Sequence, residues 1–295
     1  MPKRKFAVMT DSASDLTKEL EEESGVDILP FDITVDGRNY TERVDFTPDE
    51  YYEMLHNCEV IPSTAHITTL RFLEQYKQYD DKGIEQVLYV SLNASGSNTY
   101  HAAKLAVETF HSQRPQSKME IHIVDSHAYA IPYGWYVAQA AFKLQNGAEM
   151  KDVIAWLEDI YARIEIVLGA YSLRFLKKSG RVSAAAAFAG ELLGVRPIIT
   201  LIDGISNVVK KVRGDKEVIP AILEYASEHV TEGSEYAVAG TKDEYIDALA
   251  KACKERWGHE PLGKFRLGSA VATNTGPDAV GVYYLGKKRN RRAES

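Results

Sequence analysis

Phe6-Ala7-Val8-Met9-Thr10-Asp11-Ser12-Ala13-Ser14-Asp15-Leu16 is the stretch that decides the fold. Four apolar residues over 6–9 make a short buried strand, and the serines and aspartates after them are helix starters, with Ser14 or Asp15 able to cap a helix over 16–23. The same grammar returns twice. A strand over 86–91 leads through Asn93-Ala94-Ser95-Gly96-Ser97-Asn98-Thr99 into a helix over 99–110. A strand over 120–124 leads through Asp125-Ser126-His127 into a helix over 132–144. Between these units, residues 27–35 read as a strand and 69–79 as a helix. Thr47-Pro48-Asp49-Glu50 is a strong helix start, with Thr47 as cap, proline in the first turn and a reciprocal glutamate three residues on. Strands alternating with helices imply a parallel sheet covered by helices on both faces.

The rhythm changes after Gly147. A helix over 150–161 leads to a strand over 164–168, a basic turn, an alanine-rich helix and a strand over 196–201. Asp203-Gly204 then separates two β-type runs, a hairpin signal. Helices over 218–229 and 245–257 alternate with short strands. A chain of 295 residues suggests two domains at about 150 residues each. The expected class is α/β: an N-terminal three-layer α/β/α domain with a parallel sheet over 1–160, and a C-terminal α/β domain with a mixed sheet over 161–295. The division falls somewhere in 150–165.

The net charge of −7 is more informative when located. Eight of the 35 basic residues lie in 1–5 and 286–295, which leaves 27 basic against 41 acidic in the body, near −14. Within it, 170–216 carries nine basic side chains against three acidic ones. Nucleic-acid binding needs a broad basic face and is disfavoured; a local anion or an acidic partner is not. Cys58 and Cys253 lie far apart with no C-x-x-C, as in a reduced, cytoplasmic protein. The longest uncharged stretch, 126–142, contains His127, Pro132 and Gly134, so no membrane insertion is expected.

Hydroxyl-rich loops follow three predicted strands, and Ile61-Pro62-Ser63-Thr64-Ala65 supplies a fourth before a helix. In an open parallel sheet, ligands sit beyond the carboxyl ends of the strands, where helix N-termini direct N–H groups outward. Such loops can hold a carboxylate or phosphate, although capping alone explains any single one. There is no H-E-x-x-H pair and no cysteine at ligand spacing, so no metal is expected. The absence of Gly-x-x-x-x-Gly-Lys and Gly-x-Gly-x-x-Gly argues against ATP or NAD, and no cofactor is expected. His66, His101 and His127 border the loops and could serve a hydrolase or transferase with Ser97 and Asp125, but no Gly-x-Ser-x-Gly elbow surrounds the serine. Tyr129, Tyr133, Trp135 and Tyr136 read as core.

Several of these segments together resemble the DegV family of bacterial fatty-acid-binding proteins. The likeness rests on Thr10-Asp11-Ser12-Ala13-Ser14-Asp15-Leu16, Pro62-Ser63-Thr64, Ser97-Asn98-Thr99-Tyr100, Val124-Asp125-Ser126, Leu176-Lys177-Lys178-Ser179-Gly180-Arg181-Val182-Ser183, Gly190 to Ile198, Asp203-Gly204, Val212-Arg213-Gly214 and Thr275-Gly276-Pro277. It covers nearly the whole chain. The resemblance implies the two-domain arrangement shared by DegV and DAK-type domains, with no catalysis by this chain. It further implies a buried long-chain fatty acid of the palmitate, stearate or oleate class, presented to a separate kinase subunit that forms an acyl phosphate for phospholipid metabolism.

On that resemblance Thr64 and Ser97 match the carboxylate ligands, with Ser95 as the alternative to Ser97. Asn98 and Asn274 join the head-group set, and Asp11, Ser12, Ser126 and Thr275 are secondary. Arg181 and Arg213, both in the basic segment, match arginines associated with phosphotransfer or kinase docking. Ala184-Ala185-Ala186-Ala187 is a candidate wall for a slender tunnel. The chain departs from the family at Ala65, His66, Ala130, Pro132, Asn274 and Asp278. Asn274 still donates a hydrogen bond but cannot titrate near neutral pH. The residues by themselves also leave open a regulatory module for another small anion.

Overall fold

Apolar strands that feed capped helices must bury both faces of the sheet they build, and the first half of the chain does this with parallel strands. The structure, a computed structural model, describes residues 5–182 and 194–289. Its first half runs β1 (Phe6–Asp11), α1 (Lys18–Ser24), β2 (Asp27–Leu29), β3 (Asp32–Val35), β4 (Arg38–Thr41), α2 (Pro48–Asn57), β5 (Ser63–Ala65), α3 (Thr69–Asp81), β6 (Gln86–Ser91), α4 (Thr99–Gln113), β7 (Glu120–Asp125), α5 (Ile131–Gln145) and α6 (Met150–Tyr161). Four strands form a parallel sheet in the order β2-β1-β6-β7. Helices α3 and α4 pack on each other, while α5 packs on α1, α6 and β1. Thr47 closes the expected capping box with Glu50.

Two local expectations are corrected. The cap of α1 is Thr17, which accepts from Leu20 N at 3.3 Å; Ser14 and Asp15 instead end a 3-10 turn, with Asp15 left-handed at φ 52°. The strand expected over 27–35 breaks at Pro30, which has no N–H for a ladder. The part after the break, β3, leaves the parallel sheet for a small antiparallel one, β4-β3-β5, whose β5 carries Thr64 opposite Ile33.

The second half contains β8 (Ile164–Ala170), α7 (Leu173–Ser179), β9 (Val195–Ile202), β10 (Ile205–Arg213), α8 (Val218–His229), β11 (Tyr236–Gly240), α9 (Asp243–Trp257), β12 (Lys264–Arg266), α10 (Ser269–Thr275) and β13 (Ala279–Leu285). Its six strands order as β10-β9-β8-β13-β11-β12. The sheet is mixed: β11 pairs β12 in parallel and its other pairs are antiparallel. The basic turn expected after β8 is the helix α7. The alanine run 184–187 lies outside the described residues.

Alternation along these strands sorts side chains to two faces. Val167, Ile198, Val238, Val280 and Val282 share a core with α8 and α9. Ala237, Ala239, Ala279 and Tyr283 belong instead to the large core that also holds β1, β6 and α5. The mixed sheet therefore presents one face to its own helices and the other to the first half of the chain. Glu42 helps fix that junction, accepting from Ser12 Oγ at 2.5 Å and from Ala270 N, in α10, at 2.8 Å. Among the described residues no helix is long and apolar enough to cross a membrane.

Candidate functional site

The inward face of the mixed sheet is the floor of a cavity of about 1120 Å³, its mouth included. Three floor strands contribute residues two apart, Ile166 and Leu168 from β8, Ile199 and Leu201 from β9, and Ala237 and Ala239 from β11, while β13 adds Gly281, Val282 and Tyr283 and β10 adds Ser206. The spacing of two is the pleat repeat, so each of the three pairs shares one face of the sheet. In the register of β11 and β13, Ala239 lies opposite Gly281. Two small residues stand where a strand pair would normally present bulk. Opposite the floor lie Ala13, Leu92, Tyr129 and Ala130 from loops at the ends of β1, β6 and β7, with Leu176 and Val182 from the α7 segment and Val271 from α10.

The polar end is built by loops. Asn93 starts a 3-10 turn over Ala94–Gly96, and the chain re-enters helix at Thr99, which leaves Ser97 extended between them. The Ser97 hydroxyl accepts from Thr99 N at 3.3 Å and lies 2.9 Å from Thr99 Oγ1, which itself accepts from Ile67 N at 3.3 Å. Either hydroxyl of this pair can be the donor, and when Thr99 donates to Ser97 the Ser97 proton is available to an incoming acceptor. Thr64 approaches from β5 and Arg181 from the segment after α7, whose Nε donates to Gly96 O at 3.4 Å and Nη1 to Ser179 O at 2.7 Å. Thr64, Gly96, Ser97 and Arg181 line both the apolar cavity and an outer, solvent-open polar pocket that adds His66, Ser95 and Asn98. An apolar channel that ends in hydroxyls and a guanidinium suits a molecule with a long apolar body and one anionic end.

The structure gathers only part of the expected site. Thr64, Ser97, Asn274, Thr275 and Arg181 line the cavity; Asn98 and Ser95 line only the outer pocket. Ser95 Oγ donates to Gly204 O, tying the mouth to the turn between β9 and β10. Asn274 donates to Ala270 O at 2.8 Å within its own helix. Ser126 is buried and bonds to Ala128. Ser12 is engaged with Glu42 and lines a separate pocket. Arg213 sits exposed at the end of the edge strand β10, away from the cavity lining.

Asp11 is a fully buried anchor. It accepts from Tyr133 OH at 2.7 Å, Tyr89 OH at 3.0 Å, Leu92 N at 3.0 Å and Ala13 N at 3.2 Å. Burial pushes its carboxyl up to about 6 in spite of those donors. Asp15 and Glu42 are also raised by burial, Asp15 additionally by the Glu42 charge.

Among the described residues no hydrogen bond joins Ser97 to His66, His101 or His127. Ser97 is hydrogen-bonded to Thr99, whereas His127 Nδ1 lies 3.3 Å from Asp125 Oδ2, and Asp125 Oδ1 accepts from His127 N and Ala94 N. No group of three or more His, Cys, Asp or Glu placed to hold a metal occurs among the described residues.

Sequence reasoning missed the floor and one aromatic. Tyr133 and Tyr136 are core as expected, but Tyr129 lines the cavity. The available signals were the alternating alanines of Tyr236-Ala237-Val238-Ala239-Gly240 and the place of Tyr129 in a loop ahead of α5, outside its helical period.

Comparison with known proteins extends these observations. Residues 5–287 match the family model described as "Uncharacterised protein, DegV family". A DegV domain-containing protein of Caldanaerobacter subterraneus is 28% identical over 283 residues, 95% of this chain and 98% of that one. One from Clostridium perfringens is 29% identical with the same shares covered. Among solved structures, a stearic acid-binding protein from Eubacterium ventriosum superimposes with a TM-score of 0.85 at 24% identity, covering 96% of this chain and 99% of that one. A DegV family protein from Thermus thermophilus, described by its fatty acid binding, gives 0.80 at 25% identity, with 96% and 100% covered.

Proposed function

Since the chain belongs to the DegV family, we propose that it is a cytoplasmic carrier that binds a long-chain fatty acid in the cavity and presents its carboxylate to a separate kinase. The observation that carries this reading is the continuity of the apolar cavity with the polar pocket at Thr64, Ser97 and Arg181. The stearic acid named for the solved relative from Eubacterium ventriosum and the fatty acid binding described for that from Thermus thermophilus support it. Residues 1–160 are read as the domain supplying the hydroxyl loops and 161–295 as the domain supplying the floor and the basic segment.

Burying about 14 methylenes at about 0.8 kcal/mol each gives a gross gain of roughly 11 kcal/mol. Ordering and association reduce this to micromolar to nanomolar affinity. The acyl chain thus supplies affinity, while Thr64 and Ser97 satisfy a carboxylate that would be costly to desolvate unpaired. The carboxylate lies at the mouth, where an oxygen can attack the terminal phosphorus of a nucleotide held by the kinase, the phosphoanhydride bond breaking as the acyl phosphate forms. Arg181 would stabilise charge at that step, and Arg213, on the exposed edge strand, would contact the kinase.

Denaturing the purified protein and analysing an organic extract by mass spectrometry tests the reading. A stoichiometric acyl chain of the palmitate, stearate or oleate class is expected. No acyl chain in the extract, together with no thermal shift on adding fatty acids, would contradict it.

A further inference from the structure

Tyr129 has a hydroxyl with one role assigned and one unassigned. Its oxygen accepts from Asn93 Nδ2 at 3.0 Å. The Asn93 amide cannot turn over to receive the phenol proton, because Nδ2 also donates to Gly204 O at 2.9 Å while Oδ1 accepts from the backbone N–H of Ser95 at 3.3 Å. The phenol must therefore donate elsewhere.

Its position says where. The ring lines the cavity, and the hydroxyl lies against Gly96, so close that a Cβ there would fall 1.6 Å from the oxygen. Gly96 is the residue before Ser97, and its carbonyl receives the Arg181 guanidinium. The backbone on either side of Tyr129 is held in a costly shape: His127 at φ 53° and Ala130 at φ 63°, ψ −162°, both have positive φ without being glycine. Ala130 N is fixed to Ala13 O at 2.8 Å. The surrounding structure over-determines this loop, and the side chain it delivers to the mouth is Tyr129.

We infer that Tyr129 is a head-group ligand: its hydroxyl donates to the carboxylate of the bound acid, beside Ser97, and makes the site selective for the free acid over the uncharged alcohol or ester of the same chain. This rests on the fatty-acid reading and adds a residue and a substrate class to it. A carboxylate accepts a phenol hydrogen bond strongly, and an alcohol or ester far less so.

The test titrates lipid-stripped full-length protein with oleate, oleyl alcohol and methyl oleate. Tyr129→Phe is expected to weaken oleate by roughly tenfold to a hundredfold, as for a hydrogen bond to a charged group, and to leave the alcohol and ester unchanged. Gly96→Ala, which pushes the phenol out of place, should reproduce the selective loss without removing the hydroxyl. Unchanged oleate affinity in Tyr129→Phe, or equal losses for all three ligands, would overturn the assignment and leave the carrier reading standing. Wild-type protein that binds oleate no better than a water-soluble short acid would overturn both.

Discussion

Replacing Ala239 with phenylalanine is expected to abolish fatty-acid binding while the protein stays folded. Ala239 projects from β11 into the cavity and lies opposite Gly281, so two small residues face each other there. A benzyl group there occupies the path of the acyl chain. Excluding about five methylenes removes roughly 4 kcal/mol of binding, close to a thousandfold. The same ring fills a void rather than overpacking a filled core, so the melting temperature should hold or rise. Val238→Ala is the control, because its side chain points to α8 and α9. It should lower stability and leave binding intact. Fluorescent fatty-acid displacement and thermal melts read both effects; binding within a few-fold of wild type in Ala239→Phe would place the acyl chain elsewhere.

The largest stability effect is expected from Asp11→Ala. Truncation leaves Leu92 N, Ala13 N and the hydroxyls of Tyr89 and Tyr133 buried without their acceptor. At about 1–3 kcal/mol for each unsatisfied group, not fully additive, the loss is several kcal/mol, a large share of a typical domain's stability. Its pH dependence has a definite sign. The carboxyl titrates near 6 when folded and near the ordinary aspartate value of 3.8 when unfolded. Between those values the folded chain binds more protons, so this group's contribution is complete below about pH 4 and is lost as pH rises through about 6. The stability gap between wild type and Asp11→Ala should accordingly be widest near pH 4 and narrower at pH 7. Denaturant unfolding at both pH values checks this; a gap that widens with pH would contradict the assignment.

Legibility in the sequence followed the range of the interaction concerned. The capping box at Thr47 and Glu50 and the βα alternation are local, and both were readable. Thr17 rather than Ser14 or Asp15 caps α1 because the residues before it are drawn into a 3-10 turn whose start is capped by Asp11. Pro30 diverts β3 into another sheet and so brings Thr64 to the mouth, a consequence of pairing with β5 that no local pattern contains. The hydroxyl loops all read alike, yet Ser97 and Thr64 face the cavity whereas Ser12 and Ser126 are engaged internally. The difference is which loop the mixed sheet covers, a fact set by contacts between residues more than a hundred positions apart, such as Ser95 with Gly204. The alanines of β11 are unremarkable as strand residues; only the opposed loops turn their small size into a cavity. Charge located the basic segment, but the fold separates its members, with Arg181 at the mouth and Arg213 on the edge strand.

The most direct measurement is a crystal structure of the protein loaded with a terminally brominated stearate, the bromine located by anomalous scattering. The account predicts the carboxylate at hydrogen-bonding distance, about 2.5–3.0 Å, from the hydroxyls of Ser97 and Thr64, with the bromine inside the cavity over the face of the mixed sheet that carries Ala237 and Ala239. A bromine at the mouth with the carboxylate inside, or a chain bound outside the cavity, would contradict it.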